Sequence, residues 1–192
     1  TAETDEHIGE SGREESGSDS GEVSETLGSC ITRNGYIGLS GDAEQYSGRG
    51  TVIGIIDSEF NINHDVFGAV PEDARLAEQD IYYFLSNTDS QLAATKLKQD
   101  ITIEDVYKSE KIPFAFDYCG KDANTVYIAG NGGHGSHVAG IAAGKAASGE
   151  FSGTAKDAQL VLMKASPDGA ANGTFSDANV LMALDDLVKL QV

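Results

Sequence analysis

The chain has 192 residues, 40% of them hydrophobic, which is enough for one sizeable core and one folded domain. Its formal net charge of −18 repels nucleic-acid phosphates and anionic lipid, so neither is expected as a partner. No apolar run approaches the ~18 residues of a membrane span, so no membrane insertion by this segment is expected.

Residues 1–28 are mostly Glu, Ser, Gly and Asp with almost nothing apolar. Such a stretch cannot bury enough surface to offset the entropy of ordering, and it reads as a disordered acidic leader or linker. The first residue is Thr1, and no basic-then-apolar signal peptide opens the chain, so an upstream piece is expected to have been removed or left out. Asp42–Tyr46 reads as a short helix and Gly48-Arg49-Gly50 as the turn out of it. Thr51–Ile56 is a near-continuous β-branched run of the kind buried on both faces of a parallel sheet.

Asp65–Leu85 reads as irregular, while Gln91–Lys98 and Ile103–Ser109 read as weak helices. Pro113 breaks the chain before Phe114-Ala115-Phe116-Asp117-Tyr118. The stretch 69–121 is accordingly expected to be an insertion between more orderly elements. Thr125–Ala129 follows as a short strand, then a glycine loop, then a helix over Gly135–Lys145. Gln159–Lys164 is a second buried strand. Ser176 or Asp177 can cap a last helix, on which Val180, Leu181, Leu184, Leu187 and Val188 share one apolar face at helical spacing, a face expected to lack its partner in an incomplete domain. Strand, helix, strand, helix in this order predicts an α/β fold, a layered parallel β-sheet with helices on both faces. Cys30 and Cys119 match no metal or redox spacing, and are either two free thiols or a disulfide.

Chemistry concentrates at two places. Asp57 ends the first apolar run, where open α/β sheets place their sites, although a lone Asp there also serves as a turn or cap residue. Downstream, Gly130-Asn131-Gly132-Gly133-His134-Gly135-Ser136-His137 delivers a histidine to the first turn of a small-residue helix. Gly130, Gly132 and Gly135 satisfy the dinucleotide pattern G-x-G-x-x-G. A ribose-binding acid should then end the next strand, but Lys164-Ala165-Ser166 offers no carboxylate until Asp168. His134 is better read as a general base, with glycines leaving both sides of its ring open and small residues behind it letting the helix pack closely. His137 is expected to face the interior. A zinc site of Asp57, His134 and His137 lacks the paired-ligand logic of HExxH, so no metal is assigned.

Ile55-Ile56-Asp57-Ser58 resembles the aspartate motif of the subtilisin-like serine proteases, the subtilases. His134-Gly135-Ser136-His137-Val138-Ala139-Gly140 is similar to their histidine motif H-G-T-H-V-A-G. The stretch between the motifs, with Phe116-Asp117-Tyr118 before the loop, most resembles the large cell-envelope peptidases of Gram-positive bacteria. The resemblance implies that Asp57 orients and stabilises the imidazole of His134, which relays a serine proton. It implies protein or peptide substrates, an extracellular or cell-surface location, and no organic cofactor; structural calcium occurs in the family but is not assignable here. Asn172-Gly173-Thr174-Phe175-Ser176 resembles the substrate-binding edge, with Gly173 leaving room for an extended peptide and Phe175 lining a side-chain pocket. Ordinary core packing is the plainer role for Phe175.

The pattern departs from the family in three ways. Glu59 stands where the motif D-S/T-G has glycine. Asn63-His64-Asp65-Val66 resembles the H-P-D-L segment with its order altered, which puts the calcium-ligating aspartate out of register. The nucleophile motif G-T-S-M-A and the oxyanion asparagine do not occur before Val192. Residues 29–192 are thus expected to be the N-terminal part of a peptidase domain, inactive alone. A catalytically dead relative that binds peptides or regulates a partner is the alternative, motivated by Glu59.

Overall fold

The computed structural model describes residues 45–89, 91–126, 133–169 and 174–192. Three parallel strands form its centre: β1 (Val52–Asp57), β2 (Phe114–Asp117) and β3 (Gln159–Lys164), in the order β1-β3-β2. Both expected buried runs are strands. Successive side chains alternate between two covered faces, so each strand is apolar at nearly every position. Ile53, Ile55, Ala115, Leu160 and Leu162 face one cluster, while Val52, Ile56, Phe114, Phe116, Val161 and Met163 face the other.

Helices cover both faces. On the first lies α4 (His134–Ala143), which buries Gly135, Ala139, Gly140 and Ala143. On the second lie α1 (Glu78–Ser86), α2 (Ala93–Leu97), α3 (Ile103–Val106) and α5 (Asp177–Lys189). α1 falls inside the stretch expected to be irregular. Its apolar signal is weak because Ile81 is its only buried residue, while Tyr82 and Tyr83 stand exposed. Its start is fixed by Asp80, whose carboxylate accepts from Ala77 N at 2.8 Å. The stretch 69–121 contributes β2 and the fully buried Ile81, Leu92, Phe114, Phe116 and Tyr118, so it is built into the core. Most of the expected helix at 42–46 and strand at 125–129 lies outside the described residues; Thr125 and Val126 are not in a strand.

α5 leaves most of its apolar row open. Leu181, Leu184 and Val188 are exposed, and the buried positions are Ala183 and Asp186, followed by Leu190 just past the helix. A carboxylate sets this rotation. Asp186 accepts from the backbone N of Ala93 (2.5 Å) and Ala94 (2.9 Å) at the start of α2, and from the Tyr118 hydroxyl (2.8 Å). Three buried bonds outweigh the burial of one apolar row, because orphaning those donors would cost about 1–3 kcal/mol each. Leu187 then rests on Gly54 of β1, where any Cβ would overlap its side chain.

Candidate active site

The C-terminal ends of the three strands carry the chemistry. Asp57, Lys164 and Asp117 are in register across β1, β3 and β2, and each follows the parity of residues facing α4. Neighbouring strands are ~4.8 Å apart, so the three side chains form a carboxylate–lysine–carboxylate row on one face.

α4 begins at this row. Its N-cap, Gly133, is left-handed (φ 57°), a conformation that glycine adopts without a Cβ penalty. The next three residues each touch the last residue of β1 or the segment that follows it. His134 Nδ1 lies 2.9 and 3.0 Å from the two Asp57 carboxylate oxygens. At Gly135 an added Cβ would lie 2.7 Å from Glu59 O, 2.9 Å from Phe60 Cε1 and 3.1 Å from Asp57 Cβ. Ser136 Oγ accepts from Asn61 N at 2.7 Å. The helix start is therefore laid directly along 57–61, and only glycine fits at the middle contact.

This placement selects the tautomer. An ionised carboxylate only accepts, so the proton belongs on Nδ1 and the Nε2 lone pair is left free. The Asp57 side chain is 11% exposed and also accepts from Ser58 N at 2.6 Å, whereas the His134 side chain is 72% exposed. A fixed acid thus holds an imidazole whose basic nitrogen is open to solvent, the arrangement needed to take a proton from an incoming nucleophile.

Other expectations fare differently. His137 is exposed, because the buried side of α4 is its small-residue side. His64, one of the residues of the altered segment, caps a 3-10 turn at Asp65–Phe67 by accepting from Val66 N through Nδ1 at 3.1 Å. Phe175 is exposed, so it does not pack in the core; Gly173, Gly130 and Gly132 lie outside the described residues. Cys119 is a half-buried free thiol, and Cys30 is not among the described residues. Among the described residues, no group of three or more His, Cys, Asp or Glu side chains is placed to hold a metal ion. Within the same residues no helix is long and apolar enough to cross a membrane.

Lys164 was missed by motif reading. Its side chain is 2% exposed, and its ammonium binds Asp117 and, at 2.5 Å, Asp168. Burial alone would lower its pKa; the two carboxylates outweigh that and hold it above the ordinary lysine value. The available signal was a charged residue closing an otherwise apolar run.

The subtilase family's sequence model matches residues 48–191. The chain belongs to the subtilase family. Among known proteins, this subtilase is similar to the PII-type proteinase of Lactococcus lactis subsp. cremoris and the PIII-type proteinase of its strain SK11. It is also similar to the PII-type proteinase of Lacticaseibacillus paracasei. Each is 26% identical over 151 residues, covering 76% of this chain and 7% of the relative's own length.

Proposed function

We propose that this chain supplies the acid and general base of a serine endopeptidase whose nucleophile lies in sequence beyond Val192. The supporting observation is the Asp57–His134 pair, bonded through Nδ1 at 2.9 and 3.0 Å while the His134 side chain stays 72% exposed. Neither nearby serine is offered as nucleophile: Ser136 is engaged with Asn61 N, and Ser58 anchors the Asp57 carboxylate through its backbone.

In this mechanism His134 Nε2 takes the proton from the serine hydroxyl as its oxygen bonds to the scissile carbonyl carbon. Asp57 stabilises the resulting imidazolium without itself being protonated. The imidazolium gives its proton to the departing amine, leaving an acyl-enzyme. Water, deprotonated by the same nitrogen, then releases the acid and restores the serine. An extended peptide would lie along 172–176, with Gly173 admitting its backbone and the exposed Phe175 offering a surface to a side chain. Protein substrates accompany this reading by likeness to the bacterial proteinases, and an extracellular or cell-surface setting by the resemblance of the stretch between the motifs to cell-envelope peptidases. The 192-residue piece alone is inactive in this reading.

The test is to express the full encoded protein and treat it with a fluorophosphonate probe. A single labelled serine, absent when this chain is expressed alone, is expected. A folded full-length protein that takes no label would sink the enzyme reading. It would favour a second one, in which the fold binds peptides without cleaving them. Glu59 motivates that alternative: it is 6% exposed, two residues from Asp57, where the family motif has glycine.

A further inference from the structure

The chain leaving β3 runs against the acid of the site. Ala165 N donates to Asp57 O at 3.0 Å, and Asn179 Nδ2, from α5, reaches Ala165 O at 3.4 Å. The next residue, Ser166, is 1% exposed, yet its hydroxyl has no hydrogen-bond partner among the described residues. That hydroxyl therefore supplies no bond that holds the loop in place. Something else must hold it down.

Lys164 does so. Its ammonium joins Asp117, at the end of β2, to Asp168, on the loop. Asp117 is itself fixed, because its other oxygen accepts from Cys119 N and Gly120 N, both at 2.8 Å. The Asp168 side chain is 66% exposed and bends back over a lysine that is 2% exposed. Gly169, left-handed at φ 68°, then turns the chain away. Buried ion pairs add little net stability compared with apolar packing, and their best-attested use is to specify geometry.

We infer that Lys164 and Asp168 are positioning residues that hold residues 165–169, just after β3, as one wall of the peptide-binding groove beside Asp57 and His134. The inference rests on the endopeptidase reading and extends it to how the groove is kept in register with the base. Neither residue touches the reacting atoms. Their loss should weaken the grip on an extended peptide while sparing chemistry on a substrate too small to use the groove.

The test uses the full-length protein with two substrates: the best-cleaved member of a quenched octapeptide library, and p-nitrophenyl acetate. Asp168→Ala is chosen because Asp168 is exposed, so loss of folding is not expected. It should raise KM for the octapeptide about tenfold, with kcat and ester turnover within twofold of the parent. Asp168→Glu, which keeps the charge, should recover most of the loss. An equal fall on both substrates, or no change on either, would overturn the positioning role and leave the endopeptidase reading intact. A parent protein that neither turns over substrate nor takes the fluorophosphonate would remove that reading first, and this one with it.

Discussion

The two ends of the β-sheet treat polar side chains in opposite ways. At the N-terminal end, beside a Lys145–Asp157 ion pair (2.7 Å), two buried groups turn inward to the chain's own backbone. Lys111, 1% exposed, donates to Lys156 O (2.8 Å) and Ala158 O (2.6 Å). Gln159, fully buried, accepts from Arg75 N and Leu76 N and donates to Leu76 O and Glu110 O, all within 2.7–2.8 Å. At the C-terminal end charges are paired with charges, and one group, His134, is turned outward with 72% of its side chain exposed. A satisfied amide or ammonium ties loops together. An imidazole held on one nitrogen and open on the other is arranged for a partner that arrives from outside.

The largest expected break in this contrast is His134→Ala in the full-length protein. Removing the base should lower peptidase kcat/KM by at least ~10⁴-fold. The fold should barely respond, with unfolding free energy changing by about 1 kcal/mol or less, because so little of the ring is buried. Steady-state kinetics and a urea melt on the same preparation check both halves. Unchanged turnover would mean that the base has been misassigned.

A smaller effect separates two glycines of α4. Gly135→Ala forces a Cβ against Glu59 O and Phe60 Cε1, backbone and ring that cannot easily move. Overpacking of this kind costs about 1–3 kcal/mol, and here it also pushes the helix start off Asp57, so activity should fall with stability. Gly140→Ala meets only the Val66 side chain, at an ordinary 3.5 Å (Cγ2) and 3.9 Å (Cγ1). It should be neutral or stabilise by up to about 1 kcal/mol through helix propensity, leaving activity alone. Equal responses at the two positions would show that close approach at Gly135 does not set the histidine.

How much of this was legible in the sequence depends on whether a residue's role is local. β1 and β3 were readable because strands buried on both faces must be apolar throughout. The pairing of Asp57 with His134 was readable because a strand-end carboxylate and a histidine opening a helix after a glycine loop both belong at the C-terminal edge of the sheet. The role of Asp186 on α5 was not, because its partners Ala93, Ala94 and Tyr118 are all distant in sequence. His137 failed for a related reason: glycine and alanine mark the buried side of α4, since only small residues allow such close contact with the β1 loop. Lys164 looked like the ordinary end of a strand, and only the register places it between Asp57 and Asp117.

The two buried lysines offer the finest test of the contrast between the ends. Lys164 has carboxylates and is held above the usual lysine pKa, whereas Lys111 has carbonyl oxygens as its hydrogen-bond acceptors. Burial pushes Lys111 down to about 8; Asp157 pulls upward against that, and Lys145 adds to the depression. A lysine whose folded pKa lies below its unfolded value binds its proton more weakly when folded. Above about pH 8 the unfolded chain therefore holds more protons, and stability rises with pH until the unfolded lysine also titrates, near 10.5. Between pH 8 and 9 the gain is about 1 kcal/mol for a single group. Lys111→Met removes the titrating group, so the difference in unfolding free energy between parent and variant should shift by that amount in the parent's favour over this interval. Urea melts at pH 7, 8 and 9 measure it with other groups cancelling. A difference independent of pH would mean that the carbonyl cradle holds the ammonium as firmly as the carboxylates hold Lys164, and that the two ends differ less than their partners imply.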